Sequence, residues 1–295
     1  MRAAVLGATG FIGRALVPAL ARRAEVVAVS RRGNAPEADG VRALAADATD
    51  ATAMRRALEG VDVAYYLVHS LGSADFDEVD RRAATTFARE AERAHVSQIV
   101  YLGGLGDDSS ELSPHLRSRA ETAATLARGA VPVTTLRAAV VVGRGSAGFD
   151  TIVALVDRLP VMIAPRWVSM PTQPIALADV VGYLADVAGH PETIGETFDI
   201  GGPEVLTYRA MIERVSRLRG HRPRIVEVPV LSPRLSSYWL HLVTPVRASV
   251  ARPLVEGLKN PTVAEDDRIQ RLLPRTLVPF DAAARQALAA APGGG

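Results

Sequence analysis

Apolar positions along the chain fall into two alternating textures. Short, nearly unbroken apolar runs read as strands buried on both faces, and longer segments with apolar residues three or four apart read as helices. RAAVLG (2–7) is the first strand, followed by a glycine-rich turn and a helix over 11–23. EVVAVS (25–30) and VRALAAD (41–47) are the second and third strands, and Asp50 is placed to cap the next helix. VDVAYYLV (61–68) is a fourth strand; the segment 75–95 is a helix with Val79, Ala83, Phe87 and Ala91 on one face and charges on the other. SQIVYLGG (97–104) is a fifth strand, 114–128 a helix, and PVTTLRAAVVVG (132–143) a sixth strand running into a loop. Then come a helix at 147–159, a short strand at 173–175, a helix at 178–188 and the strand ETFDIGG (196–202). Strand-then-helix alternation with continuous apolar strands predicts an α/β fold, a doubly wound parallel sheet covered by helices on both faces.

Beyond Gly202 the texture changes. Pro223, Pro229, Pro233, Pro245, Pro253 and Pro261 break the segment into short pieces separated by turns. The expected division is a sheet domain over 1–202 and a smaller C-terminal lobe over 203–295 packed on the ends of the strands. No internal repeat interrupts this plan, and only the terminal APGGG is of low complexity.

Composition narrows the chemistry. With 48% hydrophobic and 22% charged residues, the 295-residue chain is that of a globular protein able to bury a core. The absence of cysteine excludes disulfides, thiolate metal ligands and a cysteine nucleophile. A net charge of +2 argues against a nucleic-acid surface in spite of a pI near 9.2. Lys259 is the only lysine, so almost all positive charge is arginine, which does not titrate and cannot relay protons. The first strand begins almost at Met1, with no signal-like segment before it, and no apolar run reaches membrane-spanning length; the cytoplasm is the expected location.

GATGFIG puts Gly7, Gly10 and Gly13 between a strand and a helix. A tight turn requires Gly7, close approach of backbone to a pyrophosphate requires Gly10, and helix-to-strand packing requires Gly13. The helix N-terminus adds unpaired N–H groups and a positive dipole end. Together these features predict a dinucleotide site, with Thr9, Phe11 and Ile12 completing the turn. The second strand ends without the acidic residue that would hold ribose hydroxyls, and Arg31 and Arg32 follow at once, able to accept a 2′-phosphate. The expected cofactor is therefore NADP(H).

The motif resembles the extended and atypical short-chain dehydrogenase/reductase superfamily, a Rossmann-type fold, and the resemblance covers nearly the whole chain. ALAADATD (43–50) resembles the family's third-strand end, which implies that Asp47 contacts adenine. LRAAVVVGRGS (136–146) resembles the stretch beside the nicotinamide, and QPIALADVVGYL (173–184) and FDIGGPEVLTY (198–208) resemble its late segments. YYLVHSLG, VYLGGLGD and LSPHLRSRAE resemble an atypical, NAD(P)H-binding branch related to the nucleotide-binding accessory subunit of respiratory complex I and to nitrogen-metabolite-repression regulators. The family's usual Y-x-x-x-K pair is absent. One register puts His115 at the tyrosine and Arg119 at the lysine; another puts Ser113 and Arg117 there; and the serine expected at the end of the fifth strand is replaced by Gly103–Gly104. His115 can donate a proton near neutral pH, and Arg119 can hold ribose or phosphate. Both could equally be surface residues. His69, after the fourth strand, either lines the cofactor site or caps a turn. Tyr65, Tyr66 and Tyr101 read as core, and the scattered His95, His190, His221 and His241 lack metal-ligand spacing, so no metal is expected.

Met162, Ile163, Trp167 and Met170 with Arg166, and later Tyr238, Trp239, Leu240, Leu242 and Val243 with several arginines, read as lobe core or as an apolar pocket with a cation at its mouth. The second segment could also touch a membrane surface. Two functions stay open: an NADPH-dependent oxidoreductase acting on an apolar carbonyl, enone or quinone-like molecule, and a non-catalytic NADP(H)-binding sensor or assembly factor.

Overall fold

The computed structural model describes residues 1–68, 76–106, 114–159, 161–221, 224–228 and 261–289. Seven strands form the central sheet: β1 (Arg2–Leu6), β2 (Glu25–Ser30), β3 (Val41–Ala45), β4 (Val63–Tyr66), β5 (Gln98–Gly104), β6 (Val133–Ala138) and, at the far edge, β11 (Thr197–Ile200). Their order is β11-β6-β5-β4-β1-β2-β3, and every pairing is parallel. Strand order reverses between β1 and β4, which opens the crevice at the carboxyl ends where α/β sheets bind ligands. The predicted Rossmann-type architecture is the observed one.

Each face carries its own core. Toward one side α1 (Phe11–Ala21) and α6 (Leu177–Asp186) cover Ala3, Val5, Val26, Val100, Leu136 and Phe198. Toward the other, α2 (Ala51–Leu58), α3 (Phe76–Arg93) and α4 (Pro114–Ala127) flank the sheet, whose Leu6, Val27, Tyr66, Ile99 and Tyr101 pack with side chains from those helices. Asp50 caps α2 as expected, its carboxylate accepting from the Thr52 and Ala53 N–H groups. Tyr65, Tyr66 and Tyr101 are all fully buried.

The sixth strand departs from expectation. The continuous strand expected at 132–143 breaks after Ala138, whose carbonyl accepts from Leu105, and resumes as β7 (Val141–Val142), which leaves the main sheet. There β7 pairs with β10 (Ile175–Ala176). A parallel pair joins β8 (Val161–Pro165) to β13 (Arg224–Val228); from the sequence the first segment reads as lobe core or pocket lining and the second as part of a proline-broken stretch, and neither is predicted as a strand. A short antiparallel pair joins β9 (Pro171–Thr172) to β12 (Leu206–Thr207).

A third core gathers α5 (Ala147–Arg158), α7 (Tyr208–Leu218) and α9 (Phe280–Ala289), so it draws side chains from both sides of residue 202. The segment before α9, including α8 (Arg268–Leu272), returns to the main body: Ile269 and Leu272 pack against the α1–α6 core, and Thr262 bridges to Thr172.

Candidate cofactor and active site

The turn after β1 is built as its glycines require. Gly7 adopts φ +83°, and a Cβ there would lie 2.7 Å from the Leu67 carbonyl oxygen. Its N–H and that of Ala8 both donate to the Val29 carbonyl, fixing the turn against β2. Gly13 is packed so closely that a Cβ would meet the Gly7 oxygen at 2.2 Å. Gly10 differs from both: it is exposed, its φ of −72° suits any residue, and an added Cβ would come only to 3.2 Å from the Gly7 oxygen. It is also the N-cap of α1, and no side chain caps that helix; neither is there an acidic residue in the first turn. The N-terminal N–H groups of α1 are therefore without a side-chain cap, and its positive end suits a pyrophosphate. Thr9 and Ile12 are half-buried, with Ile12 packed on the core beneath. The Phe11 ring lies against the loop after β7, where a Cβ on Gly143 would sit 3.1 Å from its Cζ. That loop is fixed in turn by Asp150, which accepts from the Gly145 N–H at 3.1 Å.

The structure brings Arg31 and Asp47 together at the ends of β2 and β3. Asp47 accepts from the Thr49 hydroxyl at 2.7 Å and the Thr49 N–H at 2.8 Å, both on Oδ1. These bonds, chiefly the hydroxyl, hold its carboxyl below the usual aspartate range, and the nearby Arg31 and Arg82 charges act in the same direction. Arg31 and Arg32 are both exposed. At the end of β2 the Ser30 hydroxyl donates to the Asn34 carbonyl, and Gly33 turns the chain at φ +71°.

At the other end of the crevice, Arg119 on α4 donates through Nη2 to the Leu102 carbonyl of β5, and the Tyr101 hydroxyl donates to the Arg119 carbonyl at 3.1 Å. These contacts tie α4 to the carboxyl end of β5. His69 lies outside the described residues, as does the His115 side chain, whose backbone belongs to the first turn of α4. The second aromatic segment, with Tyr238 and Trp239, is also outside them. Of the first, Met162 is buried in the third core and Met170 is half-buried. Among the described residues no cluster of histidine and carboxylate side chains could hold a metal ion. No described helix is long and apolar enough to cross a membrane.

One constellation was missed by pattern reading. Arg137 on β6 donates through Nε to Asp199 on β11 at 2.8 Å, and Asp199 also accepts the Glu265 N–H at 3.1 Å. The available signal was a lone charge of opposite sign in each of two otherwise uncharged strand interiors, TTLRA and TFDI.

Residues 7–145 match the family described as NAD(P)H-binding. Among curated proteins the chain is 23% identical over 241 residues to the NADH dehydrogenase [ubiquinone] 1 alpha subcomplex subunit 9 of Arabidopsis thaliana, covering 77% of this chain and 60% of that protein. It is 30% identical over 251 residues to the divinyl chlorophyllide a 8-vinyl-reductase of Oryza sativa subsp. indica, with the same coverage of 77% and 60%. The chain thus spans less than two thirds of these relatives. Among solved structures, a NADPH-dependent quinone oxidoreductase of Escherichia coli complexed with NADPH superposes with a TM-score of 0.78 at 20% identity, covering 96% of this chain and 98% of that one. The triphenylmethane reductase of Citrobacter sp. complexed with NADP(H) gives a TM-score of 0.74 at 18% identity, with 97% and 100% coverage. The strand order, the glycine turn at the start of α1 and these likenesses together show a Rossmann-type fold whose residues 7–145 resemble the NAD(P)H-binding family.

Proposed function

We propose that the chain is an NADPH-dependent oxidoreductase that reduces an apolar carbonyl, enone or quinone-like acceptor. The observation that carries the cofactor choice is the exposed Arg31–Arg32 pair directly after β2, beside Asp47. In this reading Gly7, Gly10 and Gly13 bring backbone against the pyrophosphate, Thr9, Phe11 and Ile12 complete that surface, and Arg31 and Arg32 take the 2′-phosphate as charge-assisted pairs. Asp47 borders the adenine. Arg119 holds the ribose, with His115 and His69 as proton-bearing groups near the reacting end. When bound, the reduced nicotinamide supplies a hydride. The protein's part is to orient the acceptor, exclude water and accept developing charge. Reductase activities named for the rice relative and for the Escherichia coli and Citrobacter neighbours support an oxidoreductase. A second reading, a binding module within a larger assembly, is favoured by the likeness to the alpha subcomplex subunit.

The test is NADPH and NADH binding by calorimetry, joined to NADPH oxidation across quinones, enones and ketones. Wild type is expected to bind NADPH at least about tenfold more tightly than NADH, the order expected for a charge-assisted pair, and to turn over activated acceptors. Arg31→Ala with Arg32→Ala is expected to erase the preference. Equal affinities in wild type overturn the NADP(H) assignment. Tight NADPH binding with no acceptor reduced moves the function to the binding-module reading. Loss of turnover in His115→Ala at unchanged cofactor affinity is the result expected if His115 moves the proton.

A further inference from the structure

Hydride addition to a carbonyl or quinone leaves the electron pair of the broken C=O π bond on oxygen. A site that reduces such acceptors therefore needs a fixed donor where that charge develops. Side chains alternate across a strand, so β5, β6 and β11 each present a defined set toward the α3–α4 face. Ile99, Tyr101 and Val133 belong to the core on that side, while Val100, Leu136 and Phe198 face the other. Two-residue steps along each strand then put Gly103, Arg137 and Asp199 on the α3–α4 face. The register pairs Gly103 with Arg137 and Arg137 with Asp199. This row crosses the carboxyl ends of the strands, next to Leu102, whose carbonyl holds Arg119.

Asp199 is 3% exposed and takes both Arg137 Nε and the Glu265 N–H, so it fixes the guanidinium from a buried position. Arg137 keeps 22% of its side chain exposed. Its register partner on β5 is Gly103, which carries no side chain.

We infer that Arg137, oriented by Asp199, receives the negative charge that forms on the acceptor oxygen. The inference rests on the oxidoreductase reading for its biological use, although the anion site itself can be probed without turnover. With a reduced nicotinamide cofactor bound to supply the hydride, the acceptor carbon would gain the C–H bond, the cofactor would be left oxidised, and the oxyanion held at Arg137 would take its proton from a neighbouring acid or water. Arg137 stays charged throughout. Asp199 is a positioning residue.

The probe is 4-nitrophenol, an oxyanion mimic whose phenolate is coloured, titrated into the full chain saturated with NADP+. Wild type is expected to favour the phenolate, lowering the bound phenol's pKa by about one unit or more, which corresponds to about tenfold in affinity. Arg137→Gln is expected to abolish that shift, and Arg137→Lys to restore part of it. Because Arg137→Gln leaves Asp199 buried without its cation, the neutral pair Arg137→Gln with Asp199→Asn is measured too, its folding checked by circular dichroism. A phenolate preference that survives in this folded double variant overturns the inference, as does a wild type that binds no phenolate. An Arg137-dependent preference in a protein that reduces no acceptor keeps the anion site and removes the oxidoreductase reading instead.

Discussion

At the residue scale, the three glycines of the first turn separate folding from binding. Gly13 admits no side chain, since a Cβ would lie 2.2 Å from the Gly7 oxygen and 2.8 Å from Ala8 Cα, both backbone. Gly13→Ala is expected to cost about 1–3 kcal/mol through forced backbone shifts, measured by urea unfolding. Gly10 is exposed and has an ordinary φ, so Gly10→Ala is expected to fold with near wild-type stability. If the pyrophosphate binds as proposed, the alanine methyl group would obstruct the approach, and NADPH affinity should fall by about tenfold or more, in line with one lost charge-assisted contact. A folded Gly10→Ala with unchanged affinity would move the phosphates elsewhere. All three glycines are legible in the sequence from their spacing between a strand and a helix, but only Gly7 and Gly13 answer a demand of the folded backbone. Their different tolerances are not, because they depend on the exact path of the turn: a Cβ at Gly13 or Gly10 meets Gly7 within the turn itself, and one at Gly7 meets Leu67, which folding brings in.

At the element scale, α2 and α3 are joined by a buried carboxylate. Glu90 is fully buried and accepts from Arg55 Nε at 3.2 Å, Arg89 Nε at 3.2 Å and Arg93 Nη1 at 2.8 Å, while the arginines keep half or more of their side chains in solvent. Burial alone would raise the Glu90 carboxyl, but the hydrogen bonds and charges of these arginines outweigh it and hold it below the ordinary glutamate value. A depressed folded-state pKa adds stability at pH above the unfolded value, and that stability is lost as pH falls through the folded value. Glu90→Gln is expected to cost about 1–2 kcal/mol at neutral pH, a charge-assisted contribution discounted for the solvated arginines. The gap between wild type and variant should then close on acidification. Thermal melts across a pH series check this; a gap that is constant with pH would refute the electrostatic origin. The helix over 75–95 was legible from its apolar spacing, but its partner was not, since Arg55 and Glu90 are 35 residues apart. The β8–β13 pair was hidden for a similar reason: 161–165 and 224–228 are bounded by prolines, and each forms a strand beside a partner distant along the chain.

At the scale of the whole molecule, the C-terminal segment is clamped to the sheet domain by Arg275. Its guanidinium donates to the Asp179 carbonyl at 3.0 Å and to Asp186 Oδ2 at 2.7 Å, and it lies 4.6 Å from the Tyr183 ring centroid. Asp186 also holds Arg23, just past the end of α1, so one carboxylate links α1, α6 and the C-terminal segment. Gly182 makes the space: a Cβ there would lie 1.6 Å from Arg275 Nη1. Gly182→Ala is expected to displace Arg275 and destabilise the protein by about 1–3 kcal/mol. Hydrogen-exchange protection should fall most in α9, and Arg275→Ala should reproduce both effects. Wild-type melting and protection in Gly182→Ala would show that the clamp is dispensable.

The sequence by itself determined the features that depend on neighbours along the chain. Buried parallel strands appear as apolar runs, covering helices as three-to-four spacing, and the dinucleotide turn as glycines spaced between a strand and a helix. These are enough for the Rossmann-type sheet and for NAD(P)H. Only the tertiary structure decided what meets across distance. It set Arg137 against Asp199, 62 residues apart, broke the sixth strand at Ala138 so that β7 could join β10, and brought Thr262 back to Thr172. Such contacts leave no periodic trace, because a charge in a strand or a threonine in a loop takes its meaning from a partner that chain order does not place beside it.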